Sequence, residues 1–247
     1  MNEKTVLNDE TAATTLPQST ELKELTQVKV DESIRISTVA QVTEPSTAYV
    51  IQKRILDFVG AFLGLILLSP LLLIIAIIIK LEDKQASIFF SQERIGLNGQ
   101  AFRMYKFRSM VSDAEKQLET LLSQNETTGA MFKMSNDPRV TRVGKFMRKT
   151  SLDELPQLWN VLKGDMSLVG PRPPLPREVI EYTSYDLQRL SVVPGCTGLW
   201  QISGRSNIGF SEMVELDLLY IKSRTIWMDL MIIIKTFTVL LGSKDAY

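Results

Sequence analysis

The stretch "KRILDFVGAFLGLILLSPLLLIIAIIIK", Lys53 to Lys80, decides the fold. Inside it, Phe58 to Ile79 runs for 22 residues without a charge, enough for a helix to cross a hydrocarbon layer of roughly 30 Å. Its depth in the chain and the lack of a small-residue cleavage site argue against a signal peptide. The simplest reading is one transmembrane helix, but Ser69-Pro70 stands at the midpoint. Proline removes a backbone donor and crowds the preceding turn, and a serine hydroxyl can satisfy a freed carbonyl and bend the helix further. A break at mid-depth would let the segment enter and leave by one face. Lys53 and Arg54 favour the cytoplasm at the near end. A true span would then place residues 81–247 outside, away from cytosolic nucleotides, whereas a re-entrant hairpin keeps both ends inside. The residues alone leave both topologies open.

Upstream, residues 1–50 hold four basic and eight acidic side chains and no glycine, with no sustained apolar period. They read as a mostly disordered acidic tail with a short helix around Glu21–Val30. The net charge of zero for the 247 residues therefore divides into −4 for the tail and +4 for the body. That body suits anionic small molecules or a lipid surface and gives no case for nucleic acid.

Downstream, "SIFFSQERIGLNGQAFRMYKFRSM" predicts two strands about the turn Gly96-Leu97-Asn98-Gly99. Helices are expected over "SDAEKQLETLLSQN", capped by Ser112, and over Leu152–Lys163, with Leu155, Leu158, Trp159 and Leu162 on one face and Gly164 as its C-cap. "LPREVIEYTSYDLQRLSV" and "SEMVELDLLYIKSR" predict further helices, and "TIWMDLMIIIKTFTVLLG" one lying in a membrane interface.

Histidine is absent and Cys196 is the only cysteine. This excludes an intrachain disulfide, Ser-His-Asp and Cys-His catalysis, and the usual zinc sites. Chemistry must come from Asp, Glu, Lys, Tyr, Ser or a hard cation. Cys196 reads as a small packed residue. "KTSLDELPQLWN", Lys149–Asn160, holds the adjacent carboxylates Asp153 and Glu154. One reading is a capping box, with Ser151 as N-cap and Glu154 reaching back. The other uses the same helix start to keep an aspartate ionised as a nucleophile. Around the pair stand Arg139, Arg142, Lys145, Arg148 and Lys149 upstream, and Arg172 between prolines downstream. Such cations suggest a phosphate or diphosphate ligand. Lys106 and Arg108, two apart, are expected on one strand face. "VVPGCTGLWQISGRSN", with Trp200 and Arg205, reads either as a buried turn or as part of a sugar or nucleotide pocket. Neither GxGxxG nor GxxxxGK[ST] occurs.

From Lys53 to Tyr247 the chain resembles the bacterial sugar transferases, the small monotopic phosphoglycosyl transferases. The likeness rests on "KRILD", the Ser69-Pro70 break, "QERIG", "KFRSM", "DPRVTRVGKFMRKTSLDELPQLWNVLKGDMSLVGPRP" and "PGCTGLWQISGR". The resemblance implies transfer of a hexose 1-phosphate, galactose or glucose, from a UDP-sugar to undecaprenyl phosphate with release of UMP, the first step of exopolysaccharide or capsule assembly. It implies Asp153 as the nucleophile that becomes an aspartyl phosphosugar, Glu154 as its partner, and Mg²⁺ bridging carboxylates and diphosphate. Arg172, Arg148, Lys106 and Arg108 are implied as phosphate-binding, with Arg205 a further candidate. The implied architecture is α/β, mostly helical. After the tail (1–50) come a re-entrant membrane helix (51–81), broken at Ser69-Pro70 and anchored at the headgroups by Lys53, Arg54 and Asp57, and a catalytic domain (82–247) with a short β-hairpin and amphipathic interface helices. That domain would lie on the cytoplasmic face of the bacterial plasma membrane, among membrane lipid. Assembly as a homo-oligomer is left open. A non-catalytic membrane scaffold, or a glycosyltransferase that releases UDP, are the competing readings; no isolated DxD element supports the latter.

Overall fold

In a computed structural model of the chain, residues 45–121, 134, 136–204 and 208–242 are described. The acidic tail up to residue 44, with the helix expected near Glu21–Val30, lies outside them.

The apolar stretch forms one helix, α1 (Thr47–Glu82), of 36 residues, about 54 Å long at the α-helical rise. It starts inside the stretch assigned to the tail, because Ser46 caps it by accepting from the Tyr49 amide at 3.2 Å. Pro70 lies within α1 without interrupting it, which corrects the break expected at Ser69-Pro70. The reason is local. A proline at 70 cannot donate to the Ile66 carbonyl one turn back, and Ser69 Oγ donates to that carbonyl instead, at 2.8 Å.

Both ends of α1 touch the same body. At the first turns, Lys53 Nζ lies 3.0 Å from Asp229 Oδ2, and Tyr49 donates to the same oxygen at 3.1 Å. Arg54 donates to the carbonyls of Val161 (2.7 Å) and Leu162 (2.8 Å). Asp57 accepts from the Ser167 hydroxyl and the Leu168 amide, both at 2.9 Å. The expected headgroup anchors are therefore engaged within the protein: Asp57 is 4% exposed, and burying a carboxylate requires such donors. At the far end, Ile75 and Ile79 pack against Phe107 and Met147, and Glu82 accepts from the Val143 amide at 3.2 Å. The opposite face of α1 is apolar and bare, with Ile55, Phe62, Ile66, Leu67 and Leu73 all exposed. Its most apolar window has a mean hydropathy of 3.1, so α1 is long and apolar enough to cross a membrane.

The hairpin forms as expected. Strands β1 (Phe89–Ile95) and β2 (Ala101–Phe107) pair antiparallel, from Phe89 opposite Phe107 to Ile95 opposite Ala101. Their turn places Asn98 at φ 52° and Gly99 at φ 77°, a conformation those residue types adopt at least cost. Helices α2 (Ala114–Leu121) and α3 (Arg142–Thr150) follow. The helix expected over Leu152–Lys163 is instead a single 3-10 turn (Leu152–Glu154) and a separate α4 (Gln157–Lys163) that starts at Pro156 and ends at Gly164, φ 92°. Trp159 of α4 is exposed rather than part of its buried face. The remaining elements are β3 (Ser167–Val169), α5 (Pro176–Ile180), a 3-10 stretch (Asp186–Ser191), β4 (Gly195–Thr197), α6 (Leu199–Ser203), α7 (Phe210–Ser223) and α8 (Ile226–Gly242).

Strands β3 and β4 pair in parallel. They approach so closely that a Cβ on Gly195 would fall 2.0 Å from the Gly170 amide nitrogen. Val169 joins Val214, Leu218 and Ile221 of α7 and Ile232 of α8 in one core. Ala61 of α1 joins Met104, Val161 and Met166 in another. The outer face of α8 carries Trp227, Ile234 and Phe237 exposed.

Candidate active site

Helix α3 is set down on the strand exit by a glycine. Thr141 caps it, accepting from the Gly144 amide at 2.9 Å. A Cβ on Gly144 would fall 2.0 Å from the Ser109 carbonyl oxygen, so only glycine permits this approach. One turn later Arg148 donates from Nε to Ser109 Oγ at 3.1 Å, which holds a half-buried guanidinium beside the next turn. The other upstream cations are engaged or placed differently. Arg139 makes a fork to Asp137 (Nη2–Oδ2 2.6 Å), and Arg142, Lys145 and Lys149 are exposed.

The chain then reverses at Ser151, which ends α3 in the left-handed conformation (φ 55°, ψ 20°), with its amide bonded back to Arg148 and Met147. Ser151 makes no side-chain cap to the following turn, and Glu154 gives its carboxylate to Lys106 instead of reaching back. The capping box is therefore not formed. The sharp reversal brings Asp153 close enough to Arg148 for their charges to act on one another. Asp153 is 6% exposed, whereas the side chain of Glu154 is 42% exposed. Asp153 is enclosed, and Glu154 beside it is only partly covered.

Lys106 comes from β2. The outer edge of this strand is completed by the side chain of Asn160, which is fully buried. Its Oδ1 accepts from the Tyr105 amide (3.0 Å) and its Nδ2 donates to the Arg103 carbonyl (2.7 Å). Lys106 Nζ then reaches Glu154 Oε1 at 2.6 Å. Arg108 lies one residue beyond β2, which ends at Phe107, and its Nε donates to the Ser87 carbonyl at 2.9 Å.

Arg172 sits in the loop "GPRPP", whose prolines have no amide hydrogen to bond within it. Each of its carbonyls from 171 to 174 is received by a donor from elsewhere: Pro171 by the Gly195 amide (2.8 Å), Arg172 by Arg189 Nη2 (3.3 Å), Pro173 by Arg94 Nη1 (3.0 Å) and Pro174 by the Ile95 amide (2.9 Å). Arg189 is itself fixed by Asp217 (2.7 Å) and Tyr182 (2.8 Å). The loop is thus held at four successive points, and the charge of its arginine acts on Glu154.

Arg94, Asn160 and Arg189 are the residues that sequence reasoning missed. Arg94 is 4% exposed and its Nε has no partner among the described residues. Burial, then the neighbouring Arg172, pull its guanidinium down to about 9, so it keeps its charge at neutral pH. Arg205 lies outside the described residues. Cys196 packs against the α1–α4 core, and burial pushes its thiol up. Trp200 Nε1 and Gln201 Oε1 are buried without partners among the described residues.

The two carboxylates differ electrostatically as they do in burial. Burial raises Asp153, and Glu154 adds to the rise, against the pull of Lys106 and Arg148. The helix start is expected to favour the ionised form; the amides of a single 3-10 turn offset less than burial costs, and the net direction is up. For Glu154 burial also acts upward, but Lys106, its hydrogen bond, Arg172 and Arg94 outweigh it and the net direction is down. Among the described residues no three acidic, His or Cys side chains cluster as a metal cage. Mg²⁺ typically binds through one or two carboxylates plus substrate phosphates. Asp153 and Glu154 are two adjacent carboxylates of the kind such a cation uses.

Residues 48–243 match the sequence profile described as "Bacterial sugar transferase". The chain is 51% identical over 200 residues to galactosyl transferase CpsE of Streptococcus agalactiae serotype III (strain NEM316), covering 81% of this chain and 44% of the relative. It is 44% identical over 199 residues to the undecaprenyl-phosphate galactose phosphotransferase of Salmonella typhimurium (79% of this chain, 41% of the relative). It is 42% identical over 199 residues to exopolysaccharide production protein ExoY of Rhizobium meliloti (79% and 88%). The chain thus spans less than half of the first two relatives and most of ExoY. The profile covers the cation-ringed carboxylate pair and all but the first residue of the apolar helix; the chain belongs to the bacterial sugar transferase family.

Proposed function

We propose that this protein transfers a hexose 1-phosphate, galactose or glucose, from a UDP-sugar to undecaprenyl phosphate at a membrane surface. Galactose is favoured by the names of CpsE and the Salmonella relative. The observation that carries the reading is a buried aspartate, Asp153, beside a glutamate tied to Lys106, with Arg148, Arg172 and Arg94 close enough to act on the pair. Four cations around two carboxylates leave an excess of positive charge, which suits a diphosphate.

In this reading Asp153 attacks the phosphorus that bears the sugar. The bond from that phosphorus to the bridging oxygen breaks, and UMP leaves with the electron pair. An oxygen of undecaprenyl phosphate then attacks the aspartyl phosphosugar, frees the carboxylate, and forms the lipid-linked sugar diphosphate. Splitting the transfer in two lets one site serve a water-soluble donor and a lipid acceptor in turn. Arg148 and Arg172 would hold phosphate oxygens, and Lys106 would keep Glu154 ionised and in place. Mg²⁺ carried by the donor would neutralise charge on its diphosphate. The bare apolar faces of α1 and α8 would lie in lipid, and contacts at both ends of α1 support a helix that stays on one side, taken here as the cytoplasmic face.

The purified chain in lipid nanodiscs, given Mg²⁺, labelled UDP-galactose or UDP-glucose and undecaprenyl phosphate, is expected to yield UMP and a lipid-linked sugar diphosphate. Release of UDP would point to a glycosyltransferase instead, and no product with either sugar would favour a scaffold. The pH profile gives a second test. Asp153 must be ionised to attack and is raised by burial, so single-turnover UMP release should decline with falling pH above the ordinary aspartate value near 3.9. Lys106→Met removes a charge that lowers Asp153 and should move this limb to higher pH. Glu154→Gln removes one that raises it and should move the limb lower. Shifts in the same direction would contradict Asp153 as the titrating group.

A further inference from the structure

An apolar groove of about 340 Å³ runs between the second half of α1 and helix α3. Ile75 and Ile78 line one side, Val143, Phe146 and Met147 the other, and Leu152 the inner end; Arg142 is its only charged lining residue. Two features separate it from ordinary surface relief. Two of its lining residues, Met147 and Leu152, directly precede Arg148 and Asp153 in the chain, so the groove lies against the segment that carries both. Its outer residues, Ile78 at 40% and Phe146 at 62% exposed, continue into the bare apolar face of α1. The groove therefore extends the lipid-compatible surface to the chain segment that bears Arg148 and Asp153, with Arg142 at its wall.

We propose that this groove takes the proximal isoprene units of the polyprenyl phosphate acceptor, with the phosphate end toward Arg148 and Asp153. The inference rests on the transfer reaction proposed above. The volume suits a few isoprene units and not a whole long chain, so the remainder of the lipid stays in the bilayer. A phospholipid acyl chain would share the apolar chemistry. The continuity with the segment bearing Asp153 favours the acceptor, since a prenyl phosphate whose oxygen attacks a phosphosugar on Asp153 must bring its first carbons close to that turn, which Leu152 begins.

The test is a series of acceptors from geranyl phosphate to undecaprenyl phosphate, assayed with the full chain in phosphatidylglycerol-containing nanodiscs at saturating donor. In the wild type the acceptor KM should fall with chain length and level off once the groove is filled. Ile78→Trp, which fills it, should raise the KM for undecaprenyl phosphate by about tenfold or more, the loss of a few buried methylenes, and flatten the series. The effect should be confined to acceptor KM, with the donor-only UMP burst retained. Ile74→Trp, on the same helix and exposed but outside the groove, should behave as wild type. An unchanged series in Ile78→Trp, or an equal loss in Ile74→Trp, would overturn the assignment. If Ile78→Trp also loses the burst, photolabelling of the wild type decides. A photoreactive prenyl phosphate should label the peptides of Ile75–Ile78 or Val143–Met147, displaced by undecaprenyl phosphate. Displacement by phosphatidylglycerol, or labelling elsewhere only, would overturn the proposal. A normal donor burst with no groove effect refutes the groove alone, whereas no UMP from the wild type refutes the transfer reaction.

Discussion

Asp153→Asn is expected to lose transfer by about ten-thousandfold or more, the scale seen when a covalent nucleophile is removed, while the chain keeps its thermal midpoint. The amide has nearly the same shape as the carboxylate, and the buried site disfavours charge, since burial is the leading cause of the raised Asp153 value. Stability should therefore hold or rise slightly. Glu154→Gln should be milder, a loss of about a hundredfold, within the range of general acid–base or positioning groups. It removes the ionic partner of Lys106 (2.6 Å) but leaves the attacking oxygen. The checks are the donor-only UMP burst and acceptor-dependent turnover, measured on both variants. Comparable losses in the two, or turnover retained in Asp153→Asn, would remove Asp153 from the nucleophile role.

The second large effect is on stability. Arg189→Met strands Asp217, which is 1% exposed and whose partner lies 2.7 Å away. Removing one member of a buried ion pair costs about 3–5 kcal/mol, or a midpoint lower by roughly 10 °C for a chain of this size. The same guanidinium holds the Arg172 carbonyl and the Tyr182 hydroxyl, so a higher donor KM should accompany the loss. Burial raises Asp217 even with Arg189 beside it, which marks the pair as costly to bury. Arg189→Met combined with Asp217→Leu should therefore recover most of the midpoint, but not the donor KM, because the Arg172 loop stays unheld. A double variant no more stable than the single would contradict the account of the pair.

Much of this architecture was legible in the chain. The uncharged run Phe58–Ile79 marked α1, and the glycine-flanked turn at Gly96–Gly99 marked the hairpin, because both signals are local. The Ser69 hydroxyl does satisfy the carbonyl that proline frees, yet it repairs α1 so well that no interruption follows. Ser151 shows the opposite limit. Its S-x-x-E spacing is the pattern of a capping box, but tertiary partners decide otherwise: Gly144 sets α3 on Ser109, Arg148 is held there, and Lys106 takes Glu154. The site was half visible for the same reason. Asp153, Glu154, Lys106, Arg148 and Arg172 are brought together, whereas Arg108 turns to Ser87. Arg94 and Arg189 went unseen because their work is to donate to carbonyls of a proline loop, and no spacing in the sequence encodes which distant donor will do so. Strands of three residues, β3 and β4, carry too little pattern to announce a parallel pair.

The central claim, a covalent phosphosugar on Asp153, is tested most directly by intact-protein mass spectrometry. The chain would be incubated with Mg²⁺ and UDP-galactose, then with UDP-glucose, without lipid acceptor, and quenched in acid. The account predicts a mass gain of one hexose phosphate, mapped to the peptide bearing Asp153, discharged by undecaprenyl phosphate or hydroxylamine, and absent in Asp153→Asn. Turnover to lipid-linked product with no such adduct, or an adduct on another residue, would contradict it.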